Sequence, residues 1–352
     1  MKAAVYRGVG DLRIEELPVP DVGDGEMLVR VDVCGVCVTD VKKIQKGLVA
    51  PPRIFGHEIS GTVARVGSGV SGFREGQHVV LHHHVPCGSC FYCARGAHAQ
   101  CPLYKKTGTT AGYEPAGGGF AEYVKAFDWI VARGAIAVPE GVSPEEAAFV
   151  EPVNTCLKAV RHGGVEKGQT VLVVGQGPIG LLLTQLARWA GAEVLASDPI
   201  PDRRAMSLRL GASAALDARG DVVDEVRAGT GGRGADCTFL AALGPEALRQ
   251  AIRATRPAGR IIVFAATAPG ETAEIDLGEL CVQEKEILTS YSSSPDIQDL
   301  AAQLVFAREI RVRELITHRM PLAEAKAAVD LASHPSPGVL KIVLEIGAGA
   351  RS

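Results

Sequence analysis

No stretch of this 352-residue chain approaches the length of a membrane span; the most apolar segment, 171–183, is broken by Gly175, Gln176, Gly177, Pro178 and Gly180. A bilayer-crossing helix needs about 20 consecutive apolar residues, so no membrane partner is expected. An excess of charge is lacking as well: 37 Lys+Arg stand against 40 Asp+Glu, a formal net charge of −3. A protein that binds nucleic acid by neutralising phosphates needs a clustered surplus of Lys and Arg, so no nucleic-acid partner is expected either. The opening residues run directly into polar sequence without a signal-peptide core, which makes a cytoplasmic protein the expectation. Internal repeats and low-complexity tracts are missing, and hydrophobic residues at 47% with charged residues at 22% exclude disorder as the main state. At roughly 150 residues per domain, the length points to two domains. What the chain does have is nine cysteines. In a reducing compartment thiols in that number suggest metal binding rather than disulfides.

Patterning divides the chain. Up to about residue 150, short β-branched runs at 27–33, 59–66 and 78–81 alternate with Gly and Pro punctuation, and this part reads as β-rich. From residue 171 apolar runs alternate with helical stretches: 171–174, 179–190, 193–197, 202–210, 235–241, 245–255 and 260–265. Strands alternating with helices of about ten residues imply βαβ units and a parallel sheet, hence an α/β protein. A strand at 287–291, helices at 297–307 and 322–332, and a closing strand at 340–345 complete the pattern.

Cys87, Cys90, Cys93 and Cys101 form C-x2-C-x2-C-x7-C. Four thiolates this close can complete a tetrahedron on Zn²⁺ and leave no open position, as in a structural site. Unrelated core thiols would not repeat so regularly. An iron–sulfur cluster also uses evenly spaced cysteines, but the ferredoxin-type run has three residues before its last cysteine, where this chain has seven. Zinc is the better match. His82, His83 and His84 precede the cluster as loop residues, some of them facing an interdomain cleft.

Cys37, His57, Glu58 and Glu151 form a second, scattered set. One thiolate, one imidazole and one or two carboxylates are acceptable to zinc, and three ligands leave a position open for chemistry. Singly, each has a plainer reading: a buried thiol, a core histidine, solvated carboxylates. Cys34 and Cys37 also have the spacing of a redox pair.

Residues 171–180 run from an apolar strand through Gly175, Gly177 and Gly180 into a helix beginning at Pro178 and Ile179. In G-x-G-x-x-G the first glycine makes the turn, the second admits a pyrophosphate, and the third lets helix and strand pack closely. Asp198 ends the next strand, where a carboxylate accepts from both ribose hydroxyls and repels a 2′-phosphate, which favours NAD over NADP. Arg203 is either an adenosine contact or part of a solvated helix start.

The string Cys34-Gly35-Val36-Cys37-Val38-Thr39-Asp40, the segment Gly56-His57-Glu58-Ile59-Ser60-Gly61, the cysteine cluster, Gly118-Gly119-Phe120-Ala121-Glu122-Tyr123, Glu151-Pro152 and the glycine motif follow one another in the order found in zinc-dependent medium-chain dehydrogenases. Over essentially its whole length the chain resembles the polyol (sorbitol and xylitol) branch of that family and the related threonine dehydrogenases. The resemblance implies a β-rich GroES-like catalytic domain, 1–151 with 291–352, carrying a structural zinc lobe at about 82–104. A doubly wound Rossmann domain for NAD, 152–290, is inserted into it. It also implies that Cys37 and His57 bind a catalytic zinc, with Glu58 a direct or alternating ligand and Glu151 a direct or water-mediated one. Thr39 then relays the substrate proton, and Cys34 is packing. Classical alcohol dehydrogenases of the family end that relay on a histidine three residues further on, where this chain has Lys42.

The implied reaction is hydride transfer from a secondary alcohol (a polyol, cyclitol or sugar alcohol) to NAD⁺, giving a ketone, in a homodimer or homotetramer with two zincs per chain. Threonine is the alternative substrate. A phosphorylated or acidic sugar alcohol is another, if Lys42, Lys43 or Arg53 faces the cleft. Residues 107–119, with Tyr113-Glu114-Pro115, read as a loop bordering the cleft. Two rival classes remain: a zinc-ribbon nucleic-acid binder, and a zinc-independent nucleotide sensor or quinone reductase lacking the second metal set.

Overall fold

The computed structural model describes residues 1–82, 85–104, 117–242, 244–265, 270, 272–334 and 336–347. His83, His84 and most of the expected cleft-border loop lie outside them. Sixteen strands are named here in chain order: β1 Lys2–Gly8, β2 Asp11–Glu16, β3 Met27–Gly35, β4 Arg53–Ile54, β5 Glu58–Val66, β6 His78–Leu81, β7 Tyr123–Ala126 and β8 Ala135–Ala137 in the first part; then β9 Thr170–Val174, β10 Glu193–Asp198, β11 Ala214–Asp217, β12 Ala235–Leu240, β13 Thr255–Val263, β14 Glu286–Thr289, β15 Ile316–Pro321 and β16 Lys341–Glu345.

They form three sheets. β1 pairs with β2 and β4 in a small antiparallel sheet. A seven-stranded sheet runs β15-β16-β3-β5-β6-β8, with β7 also on β3, so strands from near both ends of the chain share one layer. The third sheet, β11-β10-β9-β12-β13-β14, is entirely parallel. Its order reverses between β9 and β12, the switch point at which doubly wound sheets take up nucleotides. β9, Thr-Val-Leu-Val-Val, is buried along its whole length, as a central parallel strand covered on both faces must be.

Helix Pro178–Trp189 follows β9 with proline at its first turn, where the missing N–H costs no hydrogen bond. Helix Val150–His162 packs against it and joins the layers: one apolar cluster contains Val33 and Val80 of the mixed sheet, Phe149, Val153 and Leu157 around this helix, and Val171 and Val173 of the parallel sheet. A second cluster fills the mixed sheet around Tyr6, Met27, Phe120 and Ile130, and a small one gathers Cys93, Cys101 and Tyr104. Strand β11 and helix Val222–Gly229 were not expected from the patterning. β13 begins at Thr255, ahead of the run read at 260–265. Its register on β12 slips between Ala235 and Cys237, and Ala258 takes a left-handed φ of 52°. Among the described residues no helix is long and apolar enough to cross a membrane.

Candidate metal centres and dinucleotide cleft

Strand register assembles the scattered metal set. Gly35 at the end of β3 pairs with Glu58 at the start of β5, so the residues flanking those ends, Cys37 and His57, meet. The ligand atoms of Cys37, His57 and Glu58 lie within 4.8 Å of one another. Cys37 precedes helix Val38–Lys46, whose first turn carries Thr39 and Asp40; Thr39 and Lys42 are half-buried on it.

Asp40, fully buried, bonds His57 Nδ1 at 3.1 Å and so turns the other ring nitrogen, Nε2, toward the set. Burial opposes protonation of His57, but Asp40 and Cys37 outweigh it and hold the imidazole well above its ordinary value. A site that so favours positive charge on the ring suits a metal cation equally.

β16, paired with β3 through Val343 and Gly35, brings in Lys341. Its Nζ donates to Glu58 Oε1 at 2.6 Å and to the Val36 carbonyl at 3.2 Å. Both side chains are buried, and Glu58 with Cys37 overcomes burial to raise the lysine. Gly35 makes the pair possible, because a Cβ there would stand 1.8 Å from Glu58 Oε2. Glu151, half-buried on helix Val150–His162, is outside the close trio; burial first, then Glu58, pushes its carboxyl up to about 7 even against the favourable charge of His57. Cys34 is buried against Gly56 and Gly119, in a packing position.

Asp40 and Lys341 were not read from the sequence. Lys341 lies 283 residues from Glu58, and only the β3–β16 pairing brings them together. The one signal near Asp40 was its place in the Cys-x-Thr-Asp string.

The other cluster is compact. Sγ atoms of Cys87 and Cys93 are 3.9 Å apart, and those of Cys90 and Cys93 3.5 Å. Four sulfurs at about 2.3 Å from a tetrahedral zinc sit about 3.8 Å from one another, which matches. Backbone amides of Cys90 and Cys87 donate to the sulfurs of Cys87 and Cys101, each at 3.4 Å. Amide bonds from Ser89 and Cys90 bring Cys87 down to about 6, while burial takes Cys93 up to about 12.

At the switch point Gly175 takes φ +88°, its amide bonded to the Ser197 carbonyl at 2.8 Å. A Cβ on Gly180 would fall 1.7 Å from the Gly175 carbonyl oxygen, so only glycine lets this helix lie so close to the strand. Over Gly177, at the helix start, the nearest atom to a built Cβ is Arg203 Nη1 at 3.9 Å, which leaves room for a phosphate. Arg203 is half-buried; its Nη2 donates to the Val339 carbonyl at 3.1 Å and its Nε is buried without a partner. Its guanidinium thus faces the second glycine. Asp198 is buried, accepting from the Gln176 amide at 2.7 Å and the Ile200 amide at 2.8 Å, one on each oxygen. Each oxygen keeps a further lone pair. Arg204 is engaged elsewhere, with the Asp198 carbonyl at 2.8 Å and Asp217 at 3.1 Å.

The architecture is therefore a Rossmann-type sheet joined to a GroES-like β-domain with two metal-competent clusters. Residues 23–138 match the family described as alcohol dehydrogenase GroES-like domain, and residues 178–307 match zinc-binding dehydrogenase. A sorbitol dehydrogenase of Bombyx mori is 31% identical over 98% of both chains. An L-threonine 3-dehydrogenase of Pyrococcus abyssi is 34% identical over 76% of this chain and 75% of its own. A zinc-binding dehydrogenase structure from Sinorhizobium meliloti 1021, bound to NADP, superposes with a TM-score of 0.88 at 32% identity over 98% of each chain. The chain belongs to the zinc-binding alcohol dehydrogenase family and is an oxidoreductase of that class.

Proposed function

We propose that the protein oxidises a secondary alcohol of the polyol, cyclitol or sugar-alcohol type to a ketone, with NAD⁺ as acceptor. The observation that carries this is the trio Cys37, His57 and Glu58, with ligand atoms within 4.8 Å, in a chain that also builds the glycine turn. Zinc bound by the trio would acidify the alcohol toward neutral pH, and the dinucleotide would accept the hydride.

The chain's own groups divide the remaining work. Asp40 orients His57. Lys341 supplies the counter-charge to Glu58, and Glu151 is held in reserve nearby. Thr39, in the first turn of the helix that Cys37 opens, carries the hydroxyl that takes the released proton, and Lys42 stands one turn beyond it. Gly175, Gly177 and Gly180, with the helix start at Pro178 and Ile179, receive the pyrophosphate; Arg203 lies beside it. The four-cysteine lobe holds the structural zinc. Residues 1–151 with 291–352 are assigned to the catalytic domain and 152–290 to the nucleotide domain, an assignment supported by the sheet in which each strand lies.

NAD is preferred over NADP because Asp198 ends β10 where a 2′-phosphate would sit, with Arg204 already committed to Asp217. Asp198→Asn keeps the shape and removes the charge. The NAD/NADP ratio of kcat/KM should then fall at least about tenfold, given the cost of opposing like charges; an unchanged ratio removes the basis for the preference. The reaction itself is tested by screening polyols, cyclitols, sugar phosphates and threonine with zinc-loaded protein and following NADH absorbance. Reduction of NAD⁺ by threonine alone would move the assignment to the threonine branch.

A further inference from the structure

The segment leaving β14 is gripped residue by residue from elsewhere in the chain. Lys158 Nζ donates to the Tyr291 carbonyl at 2.9 Å. The Ser292 hydroxyl bonds the Tyr104 phenol, and the Ser293 hydroxyl bonds His82 Nε2 at 3.1 Å. Asn154 takes both backbone groups of Ser294, accepting from its amide at 2.8 Å and donating to its carbonyl at 2.9 Å. His98 Nδ1 meets the Ser294 hydroxyl at 3.4 Å. Ser292 takes φ +60°, a left-handed backbone that serine keeps only where its surroundings hold it.

Two of these grips come from residues beside the cysteines of the four-cysteine lobe. Tyr104 lies three residues past Cys101, its amide bonded to the Cys101 carbonyl at 3.0 Å. Tyr104 is 1% exposed and packs in the same cluster as Cys93 and Cys101. His98 begins the short turn His98–Gln100, and its carbonyl accepts the Cys101 amide at 3.0 Å. The position of both side chains is therefore set by how the lobe closes on its sulfurs.

We propose that the four-cysteine lobe clamps the serine strap 291–294 through Tyr104 and His98, making these two positioning residues for the nicotinamide half of the cofactor. The link to the cofactor rests on the dinucleotide reading above. With the adenosine at the end of β10, a dinucleotide straddling the switch point lays its other half over β12, β13 and β14, and β14 runs directly into the strap. A strap that wanders would blur that end of the cleft and leave the adenosine end untouched.

The test is hydrogen exchange on zinc-loaded protein, wild type against Tyr104→Phe, His98→Leu and, removing the same bond from the other side, Ser292→Ala. Loss of one such bond should speed exchange of amides in 290–296 about 3- to 10-fold, while β9 amides stay protected. In parallel, NADH should bind more weakly by a similar factor and ADP-ribose, which lacks the nicotinamide, should not. Unchanged strap exchange in all three variants, or an equal rise in β9, overturns the clamp; so does equal weakening of both ligands. Wild-type protein that binds neither NADH nor ADP-ribose overturns the dinucleotide reading instead, and the exchange data still decide the clamp.

Discussion

His82 shows how burial alone sets a residue's chemistry. It is 5% exposed, bonded to Ser293, and desolvation takes it down to about 4 from 6.5. The unfolded chain thus binds a proton between these values that the folded chain refuses. The contribution is fully present above about pH 6.5 and is lost as pH falls toward 4, by at most about 3 kcal/mol. Urea unfolding at pH 7 and pH 5 should show a smaller loss for His82→Asn than for wild type; equal losses would mean that the histidine does not titrate as its burial demands. The Lys341–Glu58 pair makes the opposite case, two charges buried together. Lys341→Met leaves a buried carboxylate without its counter-charge and should cost about 3–5 kcal/mol in metal-free protein. Because the cost is that of the orphaned charge, Glu58→Gln combined with Lys341→Met should recover part of it. Additive losses in that double-mutant cycle would show that the pair does not interact.

At the scale of elements, several units of the parallel sheet were legible to within a residue or two, though β13 was not: the helix read at 179–190 is Pro178–Trp189, and the strand read at 193–197 is Glu193–Asp198. Those segments are long or strongly apolar, so local periodicity suffices. β11 escaped notice because Ala-Ala-Leu-Asp is short and nearly featureless, and it owes its strand to pairing with β10. Spacing alone made the metal trio legible only as residue types, and the family resemblance was needed to read it as a site, since it is the β3–β5 register that turns Cys37 and His57 toward each other; Lys341 depended on a third strand and left no local trace. The glycine turn is the reverse, a local motif whose demands show in full. Gly180→Ala forces the helix off β9, because the added carbon would stand 1.7 Å from the Gly175 carbonyl oxygen. Overpacking of this kind costs about 1–3 kcal/mol, and the shifted helix start should weaken NADH binding at least about tenfold. Calorimetric titration of the variant checks this; native affinity would show that close approach of helix and strand is not what the nucleotide needs.

Across the whole molecule the two metal sets differ in how they are closed. The trio offers three protein ligands, which would leave a zinc held there one open position, whereas the four sulfurs close on one another beside Tyr104 and the lobe backbone. A closed thiolate site contributes directly to folding, and an open mixed site exchanges its ligand in each turnover. Metal should therefore leave in two stages. Dialysis against a carboxylate chelator should take zinc from two per chain to about one, abolishing alcohol oxidation and leaving thermal unfolding nearly unchanged. A thiol-directed mercurial should then release the second zinc and lower the unfolding temperature. If the lobe clamps the serine strap, amides in 290–296 lose protection only at this second stage. Elemental analysis alongside hydrogen exchange separates the stages. Simultaneous loss of both metals would mean that the two sites are not independently built, and strap exchange rising at the first stage would place control of the cleft at the trio.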